Sequence, residues 1–240
     1  MTKTEVCNVI RDVGIIPAIR VSSAEEAHFA AECVASGGIP IVEITMTVPE
    51  AVKLIAHLVQ YHPKMVVGAG TVLNVKVATE CVDAGASFIT STGFNPQVVE
   101  FAAKEDITAL PGALTPTEVI AAWEAGSDFV KVFPCTQVGG EAYIKALKSA
   151  LPQISLIAAG GVTQHTAGKF ILAGATAIGV GTEMIPPDAI EHRESERIRE
   201  LAERFVGFVR EARERLAPEK ESNVARKGDF WKQHRHRPHT

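Results

Sequence analysis

Four stretches of this chain share one design, in which a helical pattern ends in small residues and glycine and a short β-rich run follows at once. They are ECVASGGIPIVEIT, ECVDAGASFITST, AAWEAGSDFVKVF and FILAGATAIGVG. Each copy is one supersecondary unit that can bury its apolar face only against neighbouring copies, so the repeat constrains the fold more than any composition figure. Reading Gly38, Gly85, Gly126 and Gly174 as equivalent helix stops puts Glu43, Thr90, Lys131 and Gly179 at a common offset, five residues beyond each glycine.

Matching pieces lie between the copies. Strand-like runs occur at Ile15 to Arg20, Met65 to Gly68, Ile107 to Leu110 and Ile154 to Ala158, each followed by a helix start signal. Ser23 with Glu26 and Thr115 with Glu118 read as capping boxes, with Pro116 at a first helical position. Asn74, Asn95 before Pro96, and Thr163 read as N-caps. Eight strands alternating with helices predict a parallel sheet closed into a (β/α)8 TIM barrel. The open doubly wound alternative lacks its fingerprint, because Gly68-Ala69-Gly70 has no third glycine at the required spacing. The 240 residues are 46% hydrophobic, enough to fill one such core.

Residues 191–217 carry seven Arg and seven Glu around Ile198, Leu201, Ala202, Phe205, Phe208, Val209, Ala212 and Leu216 at helical spacing. They predict one amphipathic helix docked on the barrel exterior or on another subunit, so that residues 1–217 form a single domain. The segment 218–240 has six Lys/Arg against three acids and ends in a run containing His234, His236 and His239. Its composition predicts a flexible basic tail.

Charge and cysteine usage exclude several functions. A net charge of −4 offers no field for nucleic acid or an anionic membrane. No apolar run is long enough to span a bilayer and no signal-peptide pattern opens the chain, so a cytoplasmic protein is expected. Cys7, Cys33, Cys81 and Cys135 form no CxxC pair, which predicts reduced thiols and no zinc site. His28, His57 and His62 fall on helices or their ends and read as ordinary surface or packing residues. No metal or cofactor is expected.

Barrel interiors are filled in layers of four side chains from alternate strands. Glu43, Thr90, Lys131 and Gly179 belong to the second, fourth, sixth and eighth strands and should share one layer. Such a layer normally holds branched apolar residues, yet this one pairs a carboxylate with an ammonium and leaves space at a glycine. Burying either charge alone costs several kcal/mol. The alternative to an active site is an ion pair that only fixes the fold. Lys131 lies in Phe129-Val130-Lys131-Val132-Phe133-Pro134, and apolar surroundings disfavour a charged amine. A neutral amine adds to a ketone and forms an imine, whose protonated nitrogen accepts the electrons of a breaking carbon–carbon bond. Glu43 is placed to move the protons.

Other strand ends add binding groups. Gly160 and Gly161 after the seventh strand, and Gly179, Gly181 and Thr182 at the eighth, suit a phosphate held by backbone N–H groups; tight turns alone are the other reading. Glu183 is discordant there, since a carboxylate in the pocket repels phosphate. Arg20 and Thr71, at the ends of the first and third strands, can reach the mouth, where a guanidinium could hold the carboxylate of a 2-oxo acid.

The stretches PAIR (17–20), VEIT (42–45), VGAGTV (67–72), LPGALTP (110–116), VKVFP (130–134), AGGV (159–162) and GVGT (179–182), taken in this order, resemble the bacterial 2-keto-3-deoxy-6-phosphogluconate aldolases. These are also described as 4-hydroxy-2-oxoglutarate aldolases and are class I lysine aldolases. The resemblance runs from about Asp12 to Ile190. It implies Lys131 as the Schiff-base lysine, Glu43 as general acid/base, Gly160, Gly161 and Thr182 around a phosphate, a small-molecule 2-oxo acid substrate and a homotrimer. The chain departs from the family pattern at three places. Thr47 stands where one branch has a carboxylate-binding arginine, a task that then falls to Arg20. Ser91-Thr92-Gly93 replaces Ser-Pro-Gly, and Ala159 replaces a threonine that meets a substrate hydroxyl. Two other functions fit the same barrel: a phosphosugar isomerase or epimerase, which needs no imine, and a non-catalytic assembly module.

Overall fold

The computed structural model describes residues 1–217; the tail expectation for 218–240 lies outside them. The elements run α1 (Lys3–Val13), β1 (Ile15–Ile19), α2 (Ala24–Ser36), β2 (Ile41–Thr45), α3 (Ala51–Tyr61), β3 (Val66–Gly70), α4 (Val75–Asp83), β4 (Phe88–Thr90) and α5 (Pro96–Lys104). They continue with β5 (Thr108–Leu110), β6 (Gly112–Ala113), α6 (Pro116–Glu124), β7 (Val130–Val132), α7 (Gly140–Ala150), β8 (Leu156–Ala159), α8 (Ala167–Leu172), β9 (Ala177–Val180), α9 (Pro187–Glu191) and α10 (Ser195–Leu216).

All strand pairs are parallel, in the order β5-β4-β3-β2-β1-β9-β8-β7-β6. The two ends of this sheet, β5 and β6, are separated in the chain by Pro111 alone. They are therefore two halves of one stave, and nine strand segments make an eight-stave, nearly closed barrel. The interruption has a simple cause: proline has no N–H to give to the ladder. Its carbonyl still accepts from Lys131 N at 2.9 Å, flanked by Phe129 N to Ala109 O at 3.3 Å and Phe133 N to Ala113 O at 3.0 Å.

The repeat glycines work as one set. Gly38, Gly85, Gly126 and Gly174 have φ of 89°, 96°, 93° and 101°, the left-handed region that side chains other than glycine rarely adopt. Each donates its N–H to the carbonyl three residues back, on Ala35, Val82, Trp123 and Ile171, at 3.0, 2.8, 3.0 and 2.9 Å. Four helices thus stop in the same manner and send four strands into the barrel at the same phase.

The helix starts follow the expected chemistry with two exceptions. Asn74 and Asn95 cap α4 and α5, and Thr115 with Glu118 forms a full capping box on α6. Ser23 accepts from Glu26 N, but the Glu26 carboxylate bonds Ser22 instead of closing the box. Helix α8 begins after Thr166, not Thr163; the Thr166 hydroxyl accepts from Thr163 N and holds the turn before the helix. An additional N-terminal helix, α1, outside the repeat pattern, is closed by a Thr2–Glu5 capping box and by Gly14 at φ 70°.

The expected single helix over 191–217 is broken. Arg193, at φ 54°, separates α9 from α10. The apolar stripe Ile198, Leu201, Ala202, Phe205, Val209 and Ala212 is buried, and α10 lies against α8 and α2 on the barrel exterior. Leu216, counted in the expected stripe, is exposed. Among the described residues, no helix is long and apolar enough to cross a membrane.

Candidate active site

Closing the barrel brings β2, β4 and β7 around one interior point. Glu43 is 2% exposed and Lys131 7%. Lys131 Nζ donates to Glu43 Oε1 and Oε2, both at 3.1 Å, and to Thr90 Oγ1 at 3.1 Å. Their strand positions explain the meeting: Glu43 pairs in register with Gly68 of β3 and Ala18 of β1, and Lys131 with Gly112 of β6 and Ile157 of β8. Gly70 makes room for the carboxylate, since a Cβ at that position would stand 2.2 Å from Glu43 Oε1.

Energetics argue against a purely structural pair. At 3.1 Å and an effective dielectric of about 20, the attraction is ~5 kcal/mol. Desolvation opposes it with several kcal/mol for each ion. The pair roughly breaks even against apolar residues of similar size, so stability does not account for its presence.

The pair forms the floor of a cavity of ≈ 210 Å³. Arg20, Gly160, Gly161, Gly179, Gly181 and Thr182 all line it, together with Glu43 and Lys131. Thr90 reaches it only through its hydrogen bond to Lys131. Thr71 does not line the cavity; it sits half-buried just past β3 with φ 60°. A β-branched residue held there stores about 1–3 kcal/mol of strain, and the expected carboxylate contact is not offered by the lining as it stands. Lining residues that the spacing argument does not select are Ala18, Thr92, Phe133, Ala159, Val162 and Ile185. Of these, Ile185 alone lies outside the stretches quoted for the family resemblance and its departures.

Glycines with left-handed backbone and one acidic residue share the rim. Gly160 and Gly161 have φ of 87° and 84°. A Cβ at 160 would meet Pro134 Cα at 2.8 Å, and one at 161 would meet Thr136 Oγ1 at 2.6 Å. Backbone amides at the rim are therefore not shielded by side chains of their own. Arg20 is exposed at the mouth. Glu183 also lines the cavity, on its exposed side. The four cysteines are buried and free, and desolvation pushes Cys33, Cys81 and Cys135 up to about 11.

The sequence and the fold both resemble known aldolases. Residues 6–201 match the model of the aldolase family described as KDPG and KHG aldolase. The chain is 31% identical over 202 residues to the 2-dehydro-3-deoxy-6-phosphogalactonate aldolase of Escherichia coli strain K12, covering 83% of this chain and 95% of that one. Among solved structures, a KDPG aldolase from Legionella pneumophila, with pyruvate captured at low pH as a covalent carbinolamine intermediate, superposes with a TM-score of 0.76 at 28% identity, covering 82% of this chain and 96% of that chain. A cube-shaped, highly porous cage designed by fusing symmetric oligomeric domains gives a TM-score of 0.77 at 30% identity, covering 92% of this chain and 79% of that chain.

Proposed function

Since the chain belongs to the KDPG and KHG aldolase family, we propose that it is a class I aldolase that cleaves a 2-keto-3-deoxy sugar acid, as its 6-phosphate, to pyruvate and an aldehyde such as glyceraldehyde 3-phosphate. The observation that carries this reading is the Lys131 amine on the cavity floor, bonded to both oxygens of Glu43.

The reaction follows from that arrangement. Lys131 gives up a proton to the Glu43 carboxylate and its nitrogen attacks the C2 carbonyl, forming a carbinolamine. Glu43 protonates the departing hydroxyl, and water leaves to give a protonated imine. The Glu43 carboxylate, restored by that step, takes the C4 hydroxyl proton as the C3–C4 bond breaks. Its electron pair moves toward the imine nitrogen as an enamine, and the aldehyde departs. Protonation at C3 and hydrolysis return pyruvate and the free lysine. Arg20 is assigned to the substrate carboxylate, and Gly160, Gly161, Gly181 and Thr182 to the phosphate. Thr90 positions the amine; Gly179 leaves space for the substrate chain. Thr71 is kept only as a candidate that would have to turn toward the mouth when substrate binds.

The test is borohydride reduction in the presence of pyruvate. One pyruvyl-derived group on the peptide containing Lys131 is expected. Labelling elsewhere, or none, would remove the imine and leave an isomerase or epimerase as the better reading.

Glu183 in the lining favours a second substrate class, an unphosphorylated keto acid such as 4-hydroxy-2-oxoglutarate. Competitive inhibition by inorganic phosphate supports the phosphorylated substrate. Equal kcat/KM for the unphosphorylated acid, without phosphate competition, supports the second class. Likeness to a cage built from symmetric oligomeric domains supports a symmetric oligomer; the homotrimer implied by the family resemblance is tested by sedimentation. Four buried free thiols fit the reducing cytoplasm.

A further inference from the structure

Away from the cavity, the fold gathers three side chains with metal-ligand chemistry. His28 and Glu32 stand one turn apart on α2, and His62 closes the C-terminal end of α3. One donor atom from each lies within 4.8 Å of the other two. His28 and His62 are half-buried, whereas Glu32 is exposed.

The individual distances are close to those of a coordinated ion. Zinc bonded at about 2.0–2.1 Å in tetrahedral geometry separates neighbouring donors by about 3.3–3.4 Å. His62 Nε2 lies 3.4 Å from His28 Nε2 and 3.8 Å from Glu32 Oε1. The other carboxylate oxygen, Oε2, lies 3.7 Å from His28 Nδ1. A Glu32 oxygen can therefore join the two Nε2 atoms on one ion. Without an ion the juxtaposition is a poor one. Two Nε2 atoms at 3.4 Å form at best a long hydrogen bond between unlike tautomers.

We propose that His28, Glu32 and His62 bind one divalent transition-metal ion, Zn²⁺ foremost, with water in the fourth position. Two imidazoles and a carboxylate suit Zn²⁺, Ni²⁺ or Cu²⁺ and not the oxygen-seeking Mg²⁺ or Ca²⁺. His57, its ring centroid 5.2 Å from that of His28 and 4.6 Å from that of Tyr61, walls one side of the site. The ion would clamp α2 to α3. These helices follow β1 and β2, the strands that lead to Arg20 and carry Glu43. None of the three ligands lines the cavity, so the role is structural and independent of the aldolase reading.

Equilibrium dialysis of the metal-free full chain against Zn²⁺ tests it. Because His234, His236 and His239 could also take up zinc, a full-chain variant with all three changed to Gln is run beside the wild type. Both should retain one tightly bound equivalent. His28→Gln and Glu32→Gln, each checked for a metal-free Tm equal to that of the wild type, should bind at least about 10-fold more weakly. At Zn²⁺ 100-fold above Kd, the wild-type Tm should rise by about 5–10 °C, and His62→Gln should show no rise. Pyruvate release should be the same with and without the ion. No binding by the wild type, binding that vanishes with the tail histidines, or wild-type affinity in the His28 and Glu32 variants would each overturn the proposal.

Discussion

Replacing Gly70 by alanine probes how closely the two barrel charges must be held. The new Cβ would stand 2.2 Å from Glu43 Oε1, 2.6 Å from its Cγ and 2.7 Å from its Cδ. Ordinary contact is about 3.5–4.0 Å, so the carboxylate must retreat by roughly 1 Å or more. Its two oxygens lie 3.1 Å from Lys131 Nζ, and a retreat of that size takes at least one of them out of hydrogen-bond range. Misplacing a reacting group by ~1 Å costs about 10²-fold in rate, close to 2.7 kcal/mol of barrier. Overpacking adds a stability loss of about 1–3 kcal/mol, read as a Tm fall of about 2–4 °C for each kcal/mol. Pyruvate release measures the first effect and thermal melting the second. Gly207→Ala in α10, where nothing lies within 4 Å of the added methyl, is the control; it should stabilise by about 1 kcal/mol and leave turnover unchanged. The decisive comparison is made in a Glu43→Gln background, itself expected to lose about 10²–10⁴ in rate. If Gly70 acts through the carboxylate, adding Gly70→Ala there should cost little more. Wild-type turnover in Gly70→Ala, or losses that multiply in full, would refute the reasoning.

Three further outcomes are expected. Arg20→Ala should raise KM for the 2-oxo acid by about 10- to 100-fold, the worth of a charged hydrogen bond, with kcat changed far less; an unchanged KM would free Arg20 of the carboxylate. With Cys33, Cys81 and Cys135 pushed up to about 11 by burial, only about 10⁻³ of each is thiolate at pH 8, so alkylation should be negligible until denaturant exposes the thiols, and rapid labelling of the native protein would contradict this. Backbone N–H groups of Thr115 and Leu114 hold the Glu118 carboxyl below its usual value; being depressed, it stabilises α6 above the unfolded carboxyl range and loses that contribution as pH falls through the lowered value. Glu118→Gln should therefore lower Tm at pH 7 and converge with the wild type in acid, and a difference that persists at pH 2 would assign the effect elsewhere.

The barrel and its charged layer are legible in the sequence because they rest on local rules with few exceptions. A glycine that must adopt positive φ marks a helix end, and four such marks fix the phase of four strands. From that phase alone Glu43, Thr90 and Lys131 fall into one layer, and in the structure they touch. The departures share a different physical origin. Pro111 splits one stave without disturbing the ladder's acceptors, and residue type does not foretell whether a carbonyl alone can carry the pairing. The break at Arg193 places a left-handed residue inside a stretch of continuous helical periodicity, a tertiary choice that turns α10 across α8 and α2. Strand position alone points Thr71 at the mouth, but the strained turn in which it sits is not encoded in that position.

The histidine cluster marks the limit of such local rules. His28 and Glu32 form an ordinary i,i+4 pair, and His62 is a lone residue at the end of another helix. Only the packing of α2 beside α3 brings the third donor within range. A buried charge announces itself in sequence because it violates the apolar rule of its strand. A ligand set on half-exposed helix faces violates nothing, since histidine and glutamate are ordinary residues there. The interior site can thus be inferred from residues that look out of place, whereas the exterior one emerges only when helix packing puts ordinary residues together.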